Sequence, residues 1–101
     1  MWMMVLFDLP VLTKRERKAA TRFRNFLLDQ GFEMSQYSVY MRFCAGKEQV
    51  AVHTRRIREN LPRTGKVHIL GFTDKQYENM VCFDGRKREH DRKNPEQLVL
   101  L

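Results

Sequence analysis

An α+β fold is predicted by three features of the chain: a first segment apolar on both faces of a strand, two amphipathic helical stretches, and aromatic or β-branched runs between and after them. With 101 residues the chain supports one hydrophobic core and is too short for two, so residues 1–101 are read as a single domain.

The first segment, residues 2–9, is a strand because both parities are apolar. Trp2, Met4 and Leu6 lie on one face, and Met3, Val5, Phe7 and Leu9 on the other, so the strand is expected to be buried on both sides. Pro10 lacks an amide donor and ends it. Thr13 and Glu16 have capping-box spacing, which starts a helix that runs to Gly31. Its apolar stripe is Ala19, Ala20, Phe23, Phe26 and Leu27, while Lys14, Lys18 and Arg22 repeat at four-residue spacing on another side.

Residues 32–44 are rich in aromatic and β-branched side chains and read as one kinked strand or two short ones. Gly46 opens a second helix, in which Val50, Ile57 and Leu61 keep helical spacing until Pro62, with His53 beside that stripe. Residues 67–72 form another strand, and Thr73 with Gln76 makes a second capping box that starts a short helical turn. Two strands in the middle segment give the order βαββαβ, the ferredoxin-like sandwich, with a core over about 1–72 and an extension over 73–101. Both helices then cover one face of the sheet. The other face also needs cover, and a second copy of the chain is its simplest source. The extension holds a basic loop from Arg86 to Lys93 and a terminal apolar run, Leu98 to Leu101, expected to be an extra strand that adds to the partner protomer's sheet.

The charge balance points to polyanionic partners. Lys and Arg number 19 against 12 Asp and Glu, and 16 of the 19 fall in three clusters, at 14–24, 55–66 and 86–93. A solvated helix face explains any one cluster, but three together favour nucleic acid. No stretch approaches the roughly 18 apolar residues of a membrane span, and the opening apolar run has no basic leader, so a cytoplasmic protein without membrane contact is expected. Cys44 and Cys82 lack metal-site spacing and read as reduced thiols.

Asp8 is the one acidic residue of the first strand and stands at its carboxyl end, where ligands gather in open α/β sheets. A buried carboxylate must be paired, protonated or metal-bound, so an ion pair to a nearby Arg and a metal role both stay open. One carboxylate per chain is few for Mg²⁺. Two copies across a dimer axis would supply a pair, with phosphate and water completing the shell. Other chemistry is weak. His53, His68 and His90 are scattered and read as core-edge or surface residues, Ser38 has no partner base, and no Gly-rich loop cradles phosphate. The VHILGF strand lacks the aromatic signature of an RNA-recognition domain.

With these segments placed, VLFDLP, RKAATRFRNFLLDQGF, QYSVY and GKVHILGFTDKQYENM follow one another in an order that resembles the CRISPR-associated protein two family of adaptation proteins. The TDKQ turn most resembles the version accompanying the Cas nine effector in type II systems. The resemblance implies a ferredoxin-like homodimer that bridges CRISPR integrase dimers and binds the double-stranded DNA of a spacer precursor before insertion into the array. It also implies a metal-dependent endonuclease acting on DNA or single-stranded RNA, with Asp8 as catalytic residue and Mg²⁺ ligand. Lys14, Arg15, Arg17, Lys18, Arg22, Arg24, Arg86, Lys87 and Arg88 are the candidate nucleic-acid contacts. A toxin-type metal-dependent ribonuclease on the same fold is the alternative.

Overall fold

The structure is a computed structural model and describes residues 1–85. Its elements are β1 (Trp2–Asp8), α1 (Lys14–Asp29), β2 (Glu33–Gln36), β3 (Val39–Phe43), α2 (Lys47–Glu59), β4 (Lys66–Phe72) and α3 (Asp74–Glu78). The four strands form one sheet in the order β2-β3-β1-β4, and every neighbouring pair is antiparallel. The first six elements therefore make the expected ferredoxin-like sandwich. The expected C-terminal strand and the cluster at 86–93 lie outside the described residues.

β1 is central because it is the strand with apolar side chains on both faces. Met3, Val5 and Phe7 are buried under the helices. α1 contributes Ala20, Phe23 and Leu27 to that core, and Phe7 meets Phe23 edge-on at 5.2 Å. Such an aromatic pair adds about 0.5–1.5 kcal/mol beyond its buried area. Both ends of α1 are set locally. The Thr13 hydroxyl accepts from the Glu16 N–H at 3.1 Å, and the Glu16 carboxylate accepts from the Thr13 N–H at 2.8 Å. At the other end Gly31 takes φ +85°, its N–H donates to the Leu28 carbonyl, and the Phe32 N–H donates to the Leu27 carbonyl. This is a Schellman stop, and it turns Phe32 into the core behind Leu27.

Residues 32–44 resolve into two strands joined by a tight turn at Tyr37 and Ser38. β2 is a wholly exposed edge strand with a register shift between Met34 and Gln36, an irregularity that discourages edge-to-edge pairing. In α2 the buried residues are His53 and Ile57, with Val50 packed partly against them. Leu61, expected on this stripe, lies beyond the helix end at Glu59 and is exposed. His53 fills the intervening position on the stripe and stands edge-on to Phe32 at 5.9 Å.

Among the described residues one face of β1 is sealed; Trp2, Met4 and Leu6 on the other, for which a second copy was the expected cover, are half-buried. Their cross-strand neighbours Phe43 and Leu70 are about half exposed. The reason is topological, since both long helices are spent on the opposite side. The second capping box forms as expected at Thr73 and Gln76 and starts α3. From there Tyr77 stacks flat on Trp2, with ring centroids 3.9 Å apart, and covers that end of the open face.

Candidate functional site

Asp8 is the last residue of β1, and strand alternation puts its side chain on the open face with Trp2, Met4 and Leu6. It is exposed, which corrects the expectation of a buried carboxylate: the strand ends there and the helices lie on the other side. Among the described residues no side chain pairs with it, so the ion pair to an Arg that the sequence allowed is not formed. An ion pair does join the Met1 ammonium to Asp74 at 2.6 Å, at the other end of β1.

Three local features hold Asp8 in place. The Phe7 N–H donates to the Ser38 carbonyl at 3.1 Å and ties the strand end to the β2–β3 turn. Ser38 takes φ 65°, a left-handed conformation uncommon for a residue other than glycine and tolerated where the surroundings fix it. Gly65 takes φ +93°, and a Cβ there would stand 2.6 Å from the Asp8 carbonyl oxygen and 2.8 Å from Leu9 Cδ2. The chain entering β4 can lie this close to Asp8 only as glycine. Neither Ser38 nor Gly65 was singled out for this role by the sequence. Ser38 gives no compositional sign of a left-handed turn, whereas the Thr64 and Gly65 pair before a β-branched run was a usable signal.

The resulting hollow is shallow, ≈ 320 Å³, and is lined by Leu6, Phe7, Asp8, Tyr37, Ser38, Val39, Lys66 and His68. Lys66 is the direct cross-strand partner of Asp8, and His68, two residues along β4, is paired with Leu6. Among the described residues no group of three or more His, Cys, Asp and Glu side chains could enclose a metal. What the site offers is one exposed carboxylate, unpartnered among the described residues, in a solvent-open hollow. That donor set fits Mg²⁺, which is commonly held by one or two carboxylates with waters and phosphate oxygens completing its shell.

The cations of α1 divide into two groups. Lys14, Arg15, Lys18 and Arg22 are exposed and without hydrogen-bond or ion-pair partners among the described residues. Arg17, by contrast, donates through Nη1 to the carbonyls of Val11 and Leu12 at 3.2 and 3.0 Å, and so braces the loop leaving β1. Arg24 is half-buried and donates to the Thr21 hydroxyl at 3.1 Å. Lys14, Arg17, Lys18 and Arg22 line an open trough of ≈ 690 Å³ along α1, together with Asn25 and Asn60. Arg86, Lys87 and Arg88 lie outside the described residues.

His53 belongs to the core and not to this site. Burial holds its pKa below the ordinary 6.5, and the charges of Arg42 and Arg56 push in the same direction. Its Nδ1 has no hydrogen-bond partner. Arg42 and Arg56 converge instead on Gln30 at the end of α1, Arg42 through the backbone carbonyl and Arg56 through the side-chain oxygen. No helix among the described residues is long and apolar enough to cross a membrane.

Fold and site together define a small, basic, ferredoxin-like α+β domain with an open apolar sheet face and a free carboxylate at its rim. Comparison with known proteins names the family: residues 1–80 match the model of CRISPR associated protein Cas2, and the chain belongs to that family. A CRISPR-associated endoribonuclease Cas2 of Paracidovorax avenae is 59% identical over 101 residues, covering 100% of this chain and 94% of the relative. Another from Flavobacterium psychrophilum is 49% identical over 101 residues, covering 100% of this chain and 88% of the relative. Among solved structures, Streptococcus pyogenes Cas2 at pH 6.5 superposes with a TM-score of 0.62 at 16% identity. It covers 83% of this chain and 100% of its own, a likeness of fold.

Proposed function

We propose that this chain is a CRISPR adaptation subunit of a type II system. In this reading a homodimer bridges integrase dimers and carries spacer DNA on its basic surface, and Asp8 serves as a Mg²⁺-dependent endonuclease centre of the same dimer. The observation that carries the reading is the open sheet face, apolar in its middle and ending at an unpartnered carboxylate. A monomer gains nothing from exposing such a face, whereas a two-fold copy buries it isologously. Family membership favours this reading over a toxin-type ribonuclease.

For DNA binding, the support is Lys14, Arg15, Lys18 and Arg22 of α1, which are exposed and unpaired among the described residues. Each phosphate they neutralise releases a counterion, so affinity should fall steeply with salt, with a slope of about −0.9 per phosphate contacted. For cleavage, the support is the exposed Asp8 together with relatives that carry the name endoribonuclease. Mg²⁺, when bound, supplies Lewis-acid charge beside the scissile phosphate. The chain's own part is to hold the Asp8 oxygens at the hollow, through the Ser38 tie and the Gly65 approach, with Lys66 and His68 on the facing strand.

The test is co-purification with the neighbouring integrase, followed by strand integration and RNA cleavage by wild type and Asp8→Asn in parallel. Integration should persist in Asp8→Asn while metal-dependent cleavage falls to background. Loss of integration in a folded, integrase-binding Asp8→Asn would contradict the architectural role. Equal cleavage by both proteins would remove the nuclease activity from the proposal.

A further inference from the structure

Lys66 and Asp8 face each other in the β1–β4 register and line the same hollow, yet they form no ion pair. Directly opposed residues of an antiparallel pair project to one face with Cβ atoms about 5 Å apart. Both side chains are exposed in the single chain and stand at the rim of the open face, not in its apolar middle, so each remains free to meet a ligand. The site therefore presents a carboxylate and an ammonium side by side, with Ser38 and His68 at its margins.

We propose that Lys66 is a fixed cation that couples divalent-metal binding at Asp8 to the arrival of a phosphodiester. The inference rests on the reading of Asp8 as a Mg²⁺ ligand. A divalent ion at Asp8 and the Lys66 ammonium repel one another. At a separation of about 6 Å in a water-like dielectric the repulsion costs about tenfold in metal affinity. Salt softens this, because the separation approaches the Debye length of about 8 Å at physiological ionic strength. A phosphodiester reverses the balance. Its negative charge, placed between metal and ammonium, is attracted by both, so metal and phosphate each raise the affinity of the other. The empty site then binds metal weakly, and the substrate completes it.

The opposite signs of the two effects make the inference testable. Mn²⁺ serves as the probe, with its binding to the full chain followed by paramagnetic resonance at low ionic strength. Binding of a short single-stranded oligodeoxynucleotide is measured without metal. Lys66→Met should tighten Mn²⁺ binding to the chain alone by about tenfold. The same variant should weaken oligonucleotide binding and make its salt slope shallower by about one. Lys66→Arg, which keeps the charge, should behave as wild type in both measurements. A variant that had lost its fold would weaken both, so a tighter metal site can come only from intact protein. Mn²⁺ affinity that is unchanged or weaker in Lys66→Met overturns the inference. Mn²⁺ binding that survives Asp8→Asn overturns the metal reading of Asp8 beneath it, whatever Lys66→Met shows.

Discussion

The two faces of β1 carry similar side chains and meet different fates. Met3, Val5 and Phe7 are sealed by Phe23, Leu27 and Ile57 from the two long helices. Trp2, Met4 and Leu6, one residue out of phase, look onto a face that, among the described residues, Tyr77 of α3 covers at the Trp2 end. One face is finished by the two long helices, and the other stays largely open among the described residues. Apolarity thus reports a demand for cover but does not say what supplies it. It also places the free carboxylate: Asp8 is accessible because it belongs to the unfinished face.

Substitutions on the two faces should separate stability from association. Phe23→Ala removes a fully buried ring and should cost about 3–5 kcal/mol in urea unfolding, the largest effect expected here. Leu70→Ala, at a side chain 53% exposed, should cost well under that in the same experiment. A comparable loss at Leu70 under conditions where the chain is monomeric would erase the distinction between the faces.

Gly65→Ala probes the rim where the two faces end. The added methyl has no room beside the Asp8 carbonyl, and φ +93° is strained for alanine, so a loss of about 1–3 kcal/mol is expected. Metal-dependent cleavage should fall with it although Asp8 itself is untouched. Full stability and activity in Gly65→Ala would show that the close approach does not position the acid.

The smallest effect belongs to the covered face. His53 has its pKa lowered in the fold, so between 6.5 and that lower value the unfolded chain binds a proton that the folded chain does not. Stability contributed by neutral His53 is therefore complete above pH 6.5 and declines as pH falls through the folded value. Urea unfolding from pH 8 to 5 should show this slope in wild type and a shallower one in His53→Gln. Equal slopes would assign the decline to other groups.

Much of this arrangement was legible because the governing signals are local. Both capping boxes form at the residues whose spacing announces them, and the double-sided apolarity of β1 announced its central place in the sheet. Asp8 was found from its position at a strand end, although its exposure was not, since burial depends on which face the helices choose. The features that build the hollow depend on register. Lys66 faces Asp8 only once β4 is aligned against β1, Ser38 is left-handed without a residue that advertises it, and Gly65 matters through its distance from a carbonyl 57 residues earlier in the chain. Leu61 misled because helical spacing continues past the point where α2 stops.

Sedimentation equilibrium of wild type and Leu70→Glu, with helical content checked by circular dichroism, reads out whether the open face pairs two chains. Leu70 lies on the open face away from the core, so a charge there should leave the fold intact and abolish association. Wild type should sediment at twice the 12.2 kDa mass of the chain and folded Leu70→Glu at that mass itself. A monomeric wild type at micromolar concentration, or a Leu70→Glu variant that still pairs, would contradict the account.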